Sequence, residues 1–128
     1  MEYDKALSGR IAIVTGASRE RGIGTAICRS LACEGADIFF THWAPFDATT
    51  LGGSNEAWPA ILEHELRALG VRVGHLSLDL ASSDAPEFLL DQVERILGAT
   101  SILVNNAAHC EEVSYATLKE KFSIDTMP

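Results

Sequence analysis

Four short apolar runs punctuate the chain, and the stretches between them repeat apolar residues every three or four positions. The runs are Ile11-Ala12-Ile13-Val14, Ile38-Phe39-Phe40, residues 71–78 and Ile102-Leu103-Val104. The first, second and fourth are continuously apolar, as expected of parallel strands covered on both faces. The third alternates through Val71, Val73, Leu76 and Leu78.

The intervening segments carry a helical period. Residues 23–34 place Ile23, Ile27 and Leu31 on one face, with Gly35 as the terminating residue. Residues 58–69 place Trp58, Ile61, Leu62, Leu66 and Leu69 on one stripe. Pro59 suits the first turn, where N–H groups lack intrahelical partners, and Gly70 closes the segment. Asp84, with Glu87 three residues later, predicts a capped start. Leu89, Val93, Ile96 and Leu97 then form a stripe ending at Gly98. The predicted order is β-α-β-α-β-α-β, with another helix starting around residues 118–122. Such alternation predicts an α/β fold built on a parallel sheet. Residues 44–55 read as a polar loop.

Composition narrows the functional classes. Of the 128 residues, 47% are hydrophobic and 22% charged, enough apolar material for one domain core. The net charge of −8 argues against nucleic acid or an anionic membrane surface as partner. Residues 1–10 are polar, which predicts no signal peptide, and the apolar runs are far too short to span a membrane. Three cysteines without a C-x-x-C pair fit reduced thiols and a cytoplasmic setting. His64-Glu65 does not extend to H-E-x-x-H, because position 68 is Ala, so no metal site is expected.

The chemistry is concentrated after the first strand, in Thr15-Gly16-Ala17-Ser18-Arg19-Glu20-Arg21-Gly22-Ile23-Gly24. Glycines between a buried strand and an amphipathic helix have a specific physical use. Gly16 lets the chain turn tightly, Gly22 lets a pyrophosphate approach the backbone, and Gly24 lets helix and strand pack closely. The helix start then offers N–H groups and a partial positive charge to phosphates.

Thr15-Gly16-Ala17-Ser18 with Gly22-Ile23-Gly24 resembles the T-G-x-x-x-G-x-G signature of the short-chain dehydrogenases/reductases. Asp79-Leu80 ends the third strand, where that family's Asp contacts adenine. Asn105-Asn106-Ala107-Ala108 ends the fourth and resembles the family's N-N-A-G. The resemblance covers residues 7–109, and its wording is closest to the bacterial 3-oxoacyl-acyl-carrier-protein reductases. Two departures stand out. Five residues separate Gly16 from Gly22 where three are usual, a spacing shared with the enoyl-acyl-carrier-protein reductases. Ala108 replaces the motif's last Gly.

The resemblance implies a Rossmann-type doubly wound sheet of order 3-2-1-4, as a single, incomplete NAD(P)-binding domain over residues 1–128. It implies hydride transfer between a nicotinamide cofactor and a small carbonyl substrate, a 3-oxoacyl group or similar. The expected cofactor contacts are Gly16, Ser18, Arg19, Arg21, Gly22, Ile23 and Gly24 in the turn. His42 and Trp43 follow at the second strand's end, Asp79 and Leu80 after the third, and Asn106, Ala107 and Ala108 after the fourth. The second strand ends Thr41-His42-Trp43, without the carboxylate that an NAD site uses on the ribose 2′-hydroxyl; Asp37 sits at the strand's wrong end and Asp47 in the loop. With Arg19 and Arg21 in the turn, this favours NADP, with NAD as the alternative.

The family's catalytic Ser and Tyr-x-x-x-Lys belong to a fifth strand and its following helix, so no catalytic residue is assigned in this chain. Tyr115 and Lys119 have the right spacing but fall only seven residues past the Asn105–Ala108 motif, and are read as a chance match; Leu118 and Phe122 are read as core. The expectation is an oxidoreductase sequence cut short and inactive alone. The alternatives are a non-catalytic dinucleotide-binding module and an interaction fragment. An apolar fourth strand left at the sheet edge predicts a marginal fold or a homo-oligomer.

Overall fold

The computed structural model describes residues 5–43 and 57–107. Seven elements alternate along the chain: β1 (Ile11–Val14), α1 (Ile23–Cys33), β2 (Asp37–His42), α2 (Trp58–Ala68), β3 (Val73–Ser77), α3 (Ala85–Ile96) and β4 (Ile102–Val104). The strands form one sheet of order β3-β2-β1-β4. All three pairings are parallel. Ile13 sits between Phe39 and Leu103, and Phe40 lies opposite His75. The predicted strand order and class are therefore those observed.

Strand periodicity divides the core into two layers. Ala12, Val14, Ile38, Phe40 and Val73 face α1 and α2, where they meet Cys28, Ala32, Trp58, Leu62 and Leu66. Ile11, Ile13 and Phe39 face the opposite way and pack on Leu89, Val93 and Leu97 at α3. Both faces of β1 and β2 are thus covered, which is why these runs are apolar at every position.

The helix faces correct the sequence reading in detail. On α1 the buried residues are Gly24, Thr25, Cys28 and Ala32. Ile27 and Leu31 only flank that core, and Ile23 is 73% exposed. Small residues line the buried side because the helix lies close to the sheet. Trp58, Leu62 and Leu66 face inward on α2, whereas Ile61 and Leu69 are exposed. On α3, Ile96 is exposed. Asp84 occupies the N-cap of α3 but has helical backbone angles and makes no side-chain cap bond. The predicted reciprocal cap is therefore absent there. Gly35, Gly70 and Gly98 follow the three helices with positive φ, as their positions predicted.

Strand bounds also shift. β2 extends to His42, and β3 begins at Val73 rather than at residue 71. Asp37 opens β2 and is held by Arg72, whose backbone N–H and guanidinium both donate to its carboxylate, at 2.8 and 3.0 Å. This places Asp37 far from the sheet's C-terminal edge. Between α1 and α2, Arg29 donates to Glu65 through two nitrogens, at 2.6 and 3.0 Å, and lies 5.8 Å from the Trp58 ring centroid. Cys28 and Cys33 are thiols; burial pushes the Cys28 thiol up to about 12. The helix expected near 118–122, the loop expected at 44–55, Asp47, Ala108, Cys110, Tyr115, Leu118, Lys119 and Phe122 lie outside the described residues.

Candidate cofactor site

The C-terminal edge of the sheet brings the predicted segments together through a compact hydrogen-bond network. Thr15, just past β1, is its hub. Its hydroxyl oxygen accepts from the backbone N–H groups of Asn106 and Ala107, at 3.1 and 3.0 Å, and donates to the Val104 carbonyl. The Asn106 side-chain amide donates to the Gly16 carbonyl at 2.9 Å. On the other flank, the Gly16 N–H donates to Thr41 Oγ1 at 3.2 Å, and the Ala17 N–H donates to the Thr41 carbonyl at 2.8 Å. The Ser18 hydroxyl receives the Trp43 N–H at 3.4 Å. The glycine turn is thereby tied to the ends of both neighbouring strands.

The glycines do different work in this arrangement. Gly16 has φ +80°, a conformation that L side chains rarely adopt, and a Cβ there would lie 2.7 Å from Ala107 Cα. Gly24 faces the sheet: a Cβ there would run into the Gly16 carbonyl and come within 2.7 Å of the Asn106 amide nitrogen. This is the close helix–strand approach that the sequence predicted. Gly22 is the N-cap of α1, with φ −78° and ψ 158°, an ordinary extended conformation. Its reason for being glycine is therefore not backbone strain.

Gly22 supplies no capping side chain, and the first turn of α1 holds no acidic residue. The N–H groups of Ile23 and Gly24 belong to the first helical turn, which has no intrahelical acceptor for them. The dipole of α1 is likewise left for an outside anion. Arg19 and Arg21 are exposed beside this end, and Thr25 holds the turn by donating to the Arg19 carbonyl at 2.6 Å. A backbone cradle with a bare N-cap and adjacent guanidinium groups has the chemistry of a phosphate site, and a dinucleotide diphosphate fits it.

The family-model comparison decides the kinship: the short chain dehydrogenase model matches residues 10–127. The chain belongs to the short-chain dehydrogenase family. Relatives of this short-chain dehydrogenase include an uncharacterised oxidoreductase of Bacillus subtilis, 40% identical over 112 residues, which cover 88% of this chain and 41% of that protein. The 3-oxoacyl-[acyl-carrier-protein] reductase of Pseudomonas aeruginosa is 36% identical over 102 residues, 80% of this chain and 36% of the relative. Among solved structures, L-sorbose reductase from Gluconobacter frateurii, complexed with NADPH and L-sorbose, superimposes with a TM-score of 0.69 at 28% identity, covering 89% of this chain and 39% of that one. A blue fluorescent protein from a metagenomic library, in complex with NADPH, gives 0.69 at 33% identity, covering 94% and 47%. The chain thus spans less than half the length of each of these relatives, between 36% and 47%.

The remaining expected contacts among the described residues also lie at this edge; Ala108 is outside them. His42 ends β2 and Trp43 follows it, exposed. Asp79 follows β3 and folds its carboxylate onto the Ala81 N–H at 2.9 Å; Leu80 beside it is exposed. Asn106 and Ala107 contact the turn as described. Sequence reasoning gave Thr15, Thr25 and Thr41 no hydrogen-bonding role, although Thr15 and Thr41, at the ends of buried apolar strands, are visible signals of a hydroxyl with a partner. It also missed His75, whose Nδ1 lies 3.1 Å from His42 Nε2 and whose ring stacks on Phe40 at 5.1 Å. No described helix is long and apolar enough to cross a membrane.

Proposed function

We propose that the chain binds a nicotinamide dinucleotide along the C-terminal edge of its sheet, with NADP preferred to NAD. In this reading the diphosphate rests on the N–H groups of Ile23 and Gly24, against Gly22. Gly16 and Ser18 line the turn, Arg19 and Arg21 lie toward the phosphates, and His42 and Trp43 border the adenine ribose. Asp79 and Leu80 border the adenine, and Asn106, Ala107 and Ala108 the far side of the crevice. The observation that carries the proposal is the bare Gly22 N-cap, strain-free and without a capping side chain, at the mouth of a parallel sheet. The NADPH-bound structural neighbours and the absence of a carboxylate at positions 41–43 support NADP.

The reaction proposed for the family scaffold is hydride exchange between the nicotinamide and a small carbonyl, of 3-oxoacyl or similar type, in the cytoplasm. Residues 1–128 act as one cofactor-binding domain, able to self-associate. We assign no catalytic acid or base within them. NADPH titration by fluorescence, set beside carbonyl-dependent NADPH oxidation, tests this. Binding without turnover is the expected result. Turnover by the 128-residue chain would shift the assignment to Tyr115 and Lys119, and absence of binding would refute the cofactor reading.

A further inference from the structure

Five residues separate Gly16 from Gly22, and the hydrogen bonds show where the additional length goes. The Gly22 N–H donates to the Arg19 carbonyl at 3.1 Å, closing a turn with Glu20 and Arg21 at its corner. Thr25 donates its hydroxyl to the same carbonyl at 2.6 Å. The first half of the glycine stretch is tied to β2 instead, through Gly16 and Ala17 on Thr41 and through Ser18 on Trp43. Arg19 is therefore where the loop leaves the sheet edge and folds back over the start of α1.

The Thr25 bond is not one that a helix makes for itself. A Thr inside a helix ordinarily returns its hydroxyl to a carbonyl three or four residues back. Thr25 lies in the first turn of α1, fully buried, and reaches six residues back to a carbonyl outside the helix. A carbonyl oxygen has two lone pairs, and this one receives two donors, Gly22 and Thr25. Its position gives the bond a consequence. A Cβ built on Gly22 would meet the Arg19 carbonyl oxygen at 3.3 Å. The oxygen thus borders the side of Gly22 proposed for the diphosphate. A free lone pair there would repel a phosphate, whereas one engaged by Thr25 is directed into the start of α1.

We propose that Thr25 is a positioning residue of the cofactor site, holding the Arg19 carbonyl against α1 so that the diphosphate meets N–H groups rather than a carbonyl dipole. This rests on the cofactor reading above. Thr25 touches no cofactor in this account and acts through the turn. Without its hydroxyl, the carbonyl keeps Gly22 as a donor but loses its buried partner, and an acceptor left short of a partner turns toward water. Because the diphosphate is common to NADP and NAD, the effect falls on both alike. A contact from Arg19 or Arg21 to a 2′-phosphate would instead separate the two cofactors.

Thr25→Val exchanges the hydroxyl for a methyl of similar size, and Thr25→Ser keeps the hydroxyl without the methyl. The first readout is the affinity of the 128-residue chain for NADPH and for NADH, by fluorescence titration on samples shown to be folded by circular dichroism. Thr25→Val is expected to weaken both by about tenfold, the order of one hydrogen bond, and Thr25→Ser to stay within about threefold of the parent. The second readout is amide hydrogen exchange at Gly22, which needs no cofactor. Protection there should fall in Thr25→Val and persist in Thr25→Ser, because one carbonyl holds both donors. Should Thr25→Val not fold, Thr25→Ser against Thr25→Ala isolates the same hydroxyl. A folded hydroxyl-free variant with both affinities within about twofold of the parent overturns the proposal, as does a loss confined to NADPH. So does a Thr25→Ser chain as weak as its hydroxyl-free counterpart, or a loss of affinity with Gly22 protection unchanged. A parent chain that binds neither cofactor overturns instead the cofactor reading beneath it.

Discussion

The side-chain amide of Asn106 donates to the Gly16 carbonyl at 2.9 Å, so a residue after β4 fixes the orientation of the turn after β1. Ninety positions of sequence separate the two. Asn106 also approaches Gly24, so one side chain fills the wedge between the turn and α1. Asn106→Ala should remove about 1 kcal/mol of stability, the usual net worth of such a bond. Because the turn loses its brace, NADPH affinity should fall by more than that loss explains in a chain still fully folded. Urea denaturation and fluorescence titration on the same samples separate the two. An Asn106→Ala chain with parental affinity would show that the turn holds its shape without the brace.

Gly22 and Gly24 should respond to substitution in opposite ways. Gly22 has unstrained angles, and a Cβ there meets the Arg19 carbonyl oxygen at 3.3 Å, a tight but adjustable contact. Gly22→Val should therefore leave the circular dichroism spectrum and denaturation midpoint near the parental values while abolishing NADPH binding, since its branches would occupy the place proposed for the diphosphate. A Cβ at Gly24 meets backbone and the Asn106 amide, neither of which can move away cheaply. Gly24→Ala should destabilise the fold by about 1–3 kcal/mol, as overpacking typically does. Unchanged cofactor affinity in a folded Gly22→Val chain would mean that the diphosphate lies elsewhere.

Much of this was legible in the sequence, and the reasons are local. Ile11–Val14 and Ile38–Phe40 are apolar at every position because both faces of the central strands are covered, and that pattern predicts a buried parallel strand. The glycine turn was legible because its residues answer backbone requirements. The face of α1 was misread for the opposite reason. Ile23 sits in the first turn, beyond the edge of the sheet, and Gly24, Thr25, Cys28 and Ala32 face inward because close approach excludes larger side chains. Hydropathy ranks Ile above Gly and cannot see that constraint. Asp84 had the residue type of a cap without the backbone angles of one. The His42–His75 pair depends on the register that sets Phe40 opposite His75, and registry between strands joined through a helix is not written in either strand.

Acid should weaken the α1–α2 contact in a defined direction. The hydrogen bond from Arg29, supported by its charge, holds the Glu65 carboxyl below its usual range despite a partial desolvation that opposes it. A carboxyl whose folded value is depressed contributes stability that is fully present above its unfolded value. That contribution disappears as pH falls from there through the lower folded value. Both side chains are well exposed, 39% and 41%, so screening limits the pair to at most about 1 kcal/mol. Glu65→Gln should lower the stability measured at neutral pH by no more than this, and should remove part of the parent's loss of stability on acidification. A variant with the parental acid dependence would show that other carboxylates govern it.

Leu103 gives the last expectation. It lies at the middle of β4, 59% exposed, on a strand whose described neighbour is β1 on one side alone. An apolar strand edge exposes unpaired N–H and C=O groups beside a hydrophobic side chain, the combination that recruits another strand. Phe88, Leu90 and Ile96 on α3 are also exposed and add apolar surface to the molecule. The 128-residue chain should therefore self-associate, with a weight-average mass in sedimentation equilibrium that rises with concentration. Leu103→Lys places a charge at the centre of the edge, where pairing would have to desolvate it. It should shift the chain toward monomer while leaving the core of Ile13, Phe39 and Val93 intact. If association persists in Leu103→Lys and yields instead to Phe88→Lys, the α3 surface rather than the β4 edge holds the copies together. A parent chain monomeric at every concentration would mean that the β4 edge is protected by residues beyond Ala107.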